Sequence, residues 1–228
     1  PDYEKAIRQH EIYISVLEEC GLDVRILEAD ENFPDSTFVE DTALLTPNCA
    51  IITNPGAPSR RNEIIGMRKV LKEYYNEIEE IQLPGYIEAG DIMMVKDHFY
   101  IGLSERTNIE GAKQTIVILN NYGFTGSVID VEKGLHLKSS MAYLENDNLV
   151  VTKEFANHEE LRKYNIIIIP EEESYAANGI WVNGRVIIPE GFPKTKRLIV
   201  ERGYPVLEVN VSEFQKLDGG LSCLSLRF

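Results

Sequence analysis

The sequence predicts an α/β protein made of ββαβ repeats closed into a ring with pseudo-fivefold symmetry, helices outside and hairpins around the axis. Three observations carry this. Two short apolar runs joined by a polar turn, then a helix-like stretch and a third apolar run, occur four times. The hairpins are TALLT-PNC-AIITN (42–54), IMMV-KDH-FYIGL (92–103), SMAYL-ENDN-LVVTK (140–153) and IWV-NG-RVIIP (180–189). The polar lead-ins to these hairpins recur at steps of 50, 48, 39 and 42 residues, counted between Asp41, Asp91, Ser139, Asn178 and Gly220, a period that marks repeat architectures. Finally, the two chain ends hold complementary parts of a fifth repeat. A closed ring removes most exposed sheet edges; an open mixed α/β sheet is the alternative.

The elements follow in order. PDYEKAIRQHEIYISVLEEC puts Ala6, Tyr13, Val16, Leu17 and Cys20 on one helical face, with Gly21 as the stop signal and DVRIL (23–27) as a strand. After the first hairpin, Ile64, Met67, Leu71 and Tyr74/Tyr75 recur at steps of three and four and predict a helix, followed by a strand at EEIQL (79–83). Ala112, Ile116 and Leu119 predict the next helix, closed by Gly123 and followed by the strand SVIDV. The third hairpin leads to a helix near 155–164 and to Ile166–Ile169, uniform enough in apolar character to predict burial on both faces. Asn183-Gly184 is a type I′ turn signal, and beyond it PKTKRLIVERG predicts a helix and PVLEVNV a strand. The last apolar run, LSLRF, supplies the first strand of the fifth unit, and the N-terminal helix and DVRIL supply the rest. The second strand of that hairpin is expected upstream of Pro1, so the natural polypeptide is expected to be longer there.

The 228 residues hold no Pro/Gly/Ser-rich divider, which predicts a single domain over 1–228. A net charge of −14 argues against nucleic acid as a partner, because phosphate binding needs a cationic face. No apolar stretch approaches the length of about 20 residues that spans a bilayer, and no secretory signal is visible. Three cysteines, Cys20, Cys49 and Cys223, show neither a disulfide framework nor metal spacing. A reducing cytoplasm fits that usage, and a homodimer is compatible with it.

The chemistry-bearing residues cluster on the lead-ins. Cys223 follows two glycines in DGGLSCLSLRF, and His136 sits in KGLHLKSS; taken singly, a cysteine in an apolar run is more often a packed small hydrophobe, and the histidine is as readily a buried, satisfied side chain. Of the four histidines only His136 occupies a lead-in. A thiol needs a base to become a nucleophile and a leaving amine needs an acid, so Cys and His at one centre form the minimum set for covalent catalysis. Asp35, Glu40, Asp41, Glu88 and Asp91 place carboxylates on the first two lead-ins. Gathered around an axis they suit a planar cation such as a guanidinium, whose fork of N–H donors carboxylates match in pairs. Arg60, Arg61 and Arg106 follow the first two hairpins at equivalent positions. Arg at a helix start opposes the dipole, which predicts a specific anion partner. Carboxylates at one end and arginines at the other describe a pocket for an arginine derivative.

FPDSTFVEDTAL, NPGAPSRRNEI, EAGDIMMVKDHFYIGLSERTN, LHLKSSMAYLE, EEESYAANGIWVN and LDGGLSCLSLRF together resemble the pentein superfamily of guanidine-modifying enzymes, and within it the bacterial-type dimethylarginine dimethylaminohydrolases. The resemblance covers essentially the whole chain and implies a five-bladed α/β propeller. It implies Cys223 as nucleophile, His136 as general acid/base and Glu88 as the carboxylate engaging the guanidinium. It also implies Glu40, Asp41 and Asp35 at the substrate head, Arg60 and Arg106 at its carboxylate, Leu217 as a backbone contact to its amino group, and Asp91 as support from behind. The family's N-terminal strand and lid loop have no counterpart in this sequence. The expected reaction is hydrolysis of an Nω-methylated arginine to citrulline and a methylamine, without metal or organic cofactor. Rivals are arginine deiminase-like action on unmethylated arginine, another guanidine hydrolase, and, from a different class, a catalytically silent propeller acting as a binding module or ribosome anti-association factor.

Overall fold

The computed structural model describes residues 1–228. In chain order the elements are α1 (Tyr3–Glu19), β1 (Ala43–Leu45), β2 (Ala50–Ile52), α2 (Glu63–Leu71), β3 (Ile78–Glu80), β4 (Ile92–Val95), β5 (His98–Leu103), α3 (Ile109–Asn121), β6 (Thr125–Asp130), β7 (Met141–Tyr143), β8 (Asn148–Val151), β9 (Asn165–Ile168), β10 (Ile180–Val182), β11 (Arg185–Pro189), α4 (Pro193–Val200), β12 (Val206–Val209) and α5 (Ser212–Gln215). The strands form four three-stranded sheets, β1-β2-β3, β4-β5-β6, β7-β8-β9 and β10-β11-β12. In each, the first two strands pair antiparallel and the third joins parallel to the second; an α-helix precedes the third strand in three of the four, giving ββαβ, and a 3₁₀ turn takes its place before β9.

The chain forms two compact units, each assembled from two separated stretches. One comprises Ala29–Lys138 and Cys223–Phe228 and holds the first two sheets. Its core joins Ile51, Ile87, Ile92, Phe99, Ile101, Leu119 and Phe124, with a second cluster of Ala50, Ile52, Met67 and Leu71 under α2. The other comprises Pro1–Glu28 and Ser139–Ser222. Its cluster of Leu144, Val150, Ile167, Ile169, Val186, Ile188 and Ile199 lies between the last two sheets and α4. The Asp2 carboxylate caps α1 by accepting from the Lys5 N–H, and Gly21, at φ +85°, follows its last turn. Asn183 and Gly184 both have positive φ, as a type I′ turn requires.

Four sequence expectations are corrected. DVRIL and LSLRF are not strands: a strand exists by its ladder, and neither run forms one. The segment near 155–164 contains a single 3₁₀ turn, Glu159–Leu161, instead of a helix. Its buried apolar residues, Phe155 and Leu161, lie six apart and form no stripe to offset the cost of helix nucleation. The isoleucine run is buried on one face only. Ile167 and Ile169 are buried, but Ile168 is 51% exposed, because successive side chains of a strand point to opposite faces and the face that carries Ile168 is open.

Candidate active site

All five lead-ins are 3₁₀ turns: Val39–Thr42, Ala89–Asp91, Leu137–Ser139, Glu171–Ala177 and Ser222–Leu224. The first four stand ahead of the first strand of a sheet, so different residue types are presented from one kind of position; no strand follows Ser222–Leu224.

In the unit containing Ala29–Lys138 and Cys223–Phe228, the first three lead-ins bring Asp41, Glu88, Asp91 and His136 together, all buried. His136 Nε2 lies 3.5 Å from Glu88 Oε2 and 3.8 Å from Asp41 Oδ1, and its Nδ1 lies 3.3 Å from Asp91 Oδ2. Asp91 is held from behind by the hydroxyls of Ser104 and Thr107, each 2.7 Å from Oδ2, and by the Leu137 N–H, 2.9 Å from Oδ1. Gly90 makes the approach possible. A Cβ there would lie 2.8 Å from Asp41 Oδ1 and 2.9 Å from the His136 ring, and the glycine N–H donates to Asp41 Oδ1 at 3.0 Å.

Charges at this centre are tightly coupled. Burial would lower the His136 pKa, but Asp41, Asp91 and Glu88 hold its proton and raise it to about 9. Burial and the neighbouring Asp41 push Glu88 up. For Asp41 the cost of burial is overcome by His136 and Arg60, and its pKa falls. Glu88 Oε1 accepts from the Ala57 N–H, while its buried Oε2 has no hydrogen-bond donor; His136 Nδ1 meets Asp91 as an ionic contact without an aligned hydrogen bond. Such orphaned atoms in a buried site point to a ligand. Asp41, Glu88 and His136 each offer an atom within 4.8 Å of the others, a spacing that a metal ion can bridge. A metal there would have to displace the proton that the three carboxylates hold on His136, whereas an organic cation could bind beside the protonated ring.

The arginines differ from one another. Arg60 is buried: Nε and Nη2 donate to Glu63, Nη1 to Asp41, and Nη2 also to the carbonyls of Phe38 and Asp35. The anion partner expected at this helix start is therefore present, but it belongs to the chain itself. Arg106 keeps a half-open guanidinium, with Nη1 3.5 Å from Glu88 Oε1. Asp35 is exposed and contributes its carbonyl oxygen, not its carboxylate, to the cluster. Glu40 is buried and accepts from Lys138 Nζ at 2.6 Å, with Arg227 Nη2 3.6 Å from the same oxygen.

Cys223 is half-buried in this unit, whereas Cys20 and Cys49 are buried, and none forms a disulfide. In the other unit, Ser222, the residue before Cys223, is clamped by Asn178, whose Nδ2 donates to its hydroxyl and whose Oδ1 accepts from its N–H. Leu217 also belongs to that unit and spends its N–H on the Phe214 carbonyl. Sequence reasoning missed Glu63, Ser104, Thr107, Lys138 and Arg227. A signal existed only for Glu63, three residues beyond Arg60 at a spacing that brings side chains together on a helix.

Residues 2–224 match a family model described as N,N dimethylarginine dimethylhydrolase, eukaryotic. The chain is 56% identical over 229 residues to the N(G),N(G)-dimethylarginine dimethylaminohydrolase of Pseudomonas aeruginosa, covering 100% of this chain and 90% of that one. It is 30% identical to the Streptomyces coelicolor protein of the same name, with 99% and 87% covered. Among solved structures, a mutant of the Pseudomonas aeruginosa enzyme complexed with citrulline superposes with a TM-score of 0.99 at 55% identity, covering 100% of this chain and 90% of that one. A dimethylarginine dimethylaminohydrolase carrying an adduct with S-methyl-L-thiocitrulline gives 0.98 at 55%, with the same coverage. The N-terminal domain of the cyanobacterial arginine dihydrolase ArgZ, 19% identical with a TM-score of 0.91 over 99% of this chain and 87% of that one, shares the fold.

Proposed function

The chain belongs to the dimethylarginine dimethylaminohydrolase family, and from that premise we propose how its own residues carry the reaction. It is a hydrolase that converts an Nω-methylated arginine into citrulline and a methylamine through a covalent adduct on cysteine. The observation that carries the assignment of roles is the buried trio of His136, Glu88 and Asp41, a preorganised negative pocket with an acid at its centre.

Glu88 and Asp41 take the guanidinium N–H groups and keep the carbon electrophilic. The Cys223 thiolate adds to that carbon, forming the S–C bond. His136 gives its proton to the methylated nitrogen as the C–N bond breaks, and the amine leaves with the bonding pair. A thiouronium cation remains on Cys223. Neutral His136 then takes a proton from water, the resulting hydroxyl adds to the same carbon, and collapse expels the thiolate. The hydroxyl proton passes to solvent and citrulline is released.

Arg106, with its half-open guanidinium, is the candidate for the substrate carboxylate. Arg60, saturated by Asp41 and Glu63, acts by holding Asp41 in place. Asp91 orients His136. Glu40 and Asp35 border the head of the substrate, and Leu217 offers a backbone contact to its amino group, as the family resemblance suggests.

We read the architecture as a five-bladed propeller in one domain, supported by the repeated ββαβ sheets and by the interleaving of the chain between the two units. Cysteine usage supports a cytoplasmic setting, and homodimerisation is the simplest assembly to test. Turnover of arginine, monomethylarginine, asymmetric dimethylarginine and agmatine, followed by ureido product, tests the function. Release of citrulline from the methylated substrates is the expected result, and activity confined to unmethylated arginine would replace this reading with a deiminase.

A further inference from the structure

Glu40 is 3% exposed, and its Oε1 faces two cations, Lys138 Nζ at 2.6 Å and Arg227 Nη2 at 3.6 Å. Lys138 follows His136 by two residues, Arg227 follows Cys223 by four, and Glu40 immediately precedes Asp41. One carboxylate oxygen therefore joins the three chain segments that carry the acid/base, the nucleophile and the guanidinium-binding aspartate. All of these residues lie in the same compact unit.

The charge balance shows why the tie is needed. Asp41, Glu63, Glu88, Asp91 and Glu40 are all buried carboxylates. Arg60 pairs with Asp41 and Glu63, His136 faces Asp41, Glu88 and Asp91, and Arg106 lies beside Glu88. Glu40 pairs with Lys138 and Arg227. A buried carboxylate stripped of its cation either takes up a proton or moves toward water, and either response displaces Asp41 next to it.

We propose that Lys138 and Arg227 are positioning residues for the hydrolysis: by holding Glu40 they set the mutual placement of His136, Asp41 and Cys223. The proposal rests on the assignment of the reaction above. It gives Glu40 the part of a tie between segments and leaves direct recognition of the guanidinium to Asp41 and Glu88.

The test uses the full chain and asymmetric dimethylarginine, with Lys138→Met, Lys138→Arg, Arg227→Met, Glu40→Gln and the Glu40→Gln/Lys138→Met double variant. Lys138→Met should lower kcat about tenfold or more while KM changes less than about threefold. Lys138→Arg should recover most of the loss. The double variant should be no slower than Lys138→Met alone, since the two side chains act as one unit. Arg227→Met, with the longer contact, should give the same pattern at smaller amplitude, and it serves as the probe if Lys138→Met does not fold. The proposal is overturned if Lys138→Met and Arg227→Met keep kcat within about twofold, if the losses multiply in the double variant, or if the whole effect falls on KM. A parent protein that does not turn over any methylated arginine overturns the reaction assignment instead, so the two failures are distinguishable.

Discussion

His136 Nδ1 lies 3.3 Å from Asp91 Oδ2, and Asp91 already accepts from Ser104, Thr107 and the backbone of Leu137. The carboxylate cannot turn away without stranding three donors, so the imidazole is held in a fixed plane with Nε2 toward Glu88. Asp91→Asn should therefore lower kcat by about 10²-fold or more. Because Asp91 helps to hold the His136 pKa near 9, the alkaline limb of the kcat profile should also move to lower pH. A variant with unchanged kcat and an unmoved limb would show that Asp91 does not act on the imidazole.

His136 also links stability to pH. Its folded pKa of about 9 lies above the unfolded value of about 6.5. The stabilisation is thus fully present below pH 6.5 and is lost as pH rises through 9, with an upper limit of about 3 kcal/mol. Urea midpoints between pH 6 and 10, measured for the parent and for His136→Phe, check this: the parent should weaken across the window, and the variant should be flatter.

Glu213 works at the acid end. Lys216, the Asp2 N–H and Lys5 hold its carboxylate at a pKa of about 2. Its contribution is present above the unfolded value of about 4.5 and is lost as pH falls toward 2. Glu213→Gln should lower the melting temperature at pH 7 and reduce its dependence on acid, and equal acid sensitivity in both proteins would count against the ion cluster.

The thiols separate by role. Cys223→Ser should abolish turnover while folding and substrate binding persist, since one oxygen replaces one sulfur. Cys20→Ser and Cys49→Ser should remain active, because both are buried in packed surroundings. Retained turnover in Cys223→Ser would remove the covalent mechanism.

The two arginines should fail in different ways. Arg106→Ala, with its half-open side chain, should cost about 1–3 kcal/mol in kcat/KM for a carboxylate-bearing substrate. It should also narrow the preference for that substrate over its decarboxylated analogue. Arg60→Ala strands the buried Asp41 and Glu63 and should cost about 3–5 kcal/mol of stability, which thermal melts will show. If the substrate preference changes in Arg60→Ala but not in Arg106→Ala, the two roles are reversed.

The hairpins and the shared lead-in position were legible in the sequence because both are local signals: period-two alternation, turn residues and a recurring spacing. His136 and Cys223 stood out as functional types at equivalent places in the repeat. The ion pairs were not legible. Lys138 and Glu40 lie 98 residues apart, and a surface-type lysine two residues after a histidine carries no mark of its partner. Arg60 shows the same limit: its position predicted an anion, but the sequence could not say whether that anion was a ligand or the chain's own Asp41. Ile168 misled because residue type alone cannot tell whether one face of a strand is covered or both.

Placing the chemistry at hairpin entrances leaves the opposite ends unburdened. Asp91 sits at the base of β4, and the Lys96-Asp97 turn lies about five residues further on, roughly 16 Å at strand rise. Reporter groups, affinity tags or inserted loops grafted at that turn lie well clear of the reacting atoms. The repeat thus divides itself into a chemistry-bearing end and an engineerable end, and the protein can be labelled or tethered from the latter without rebuilding the former.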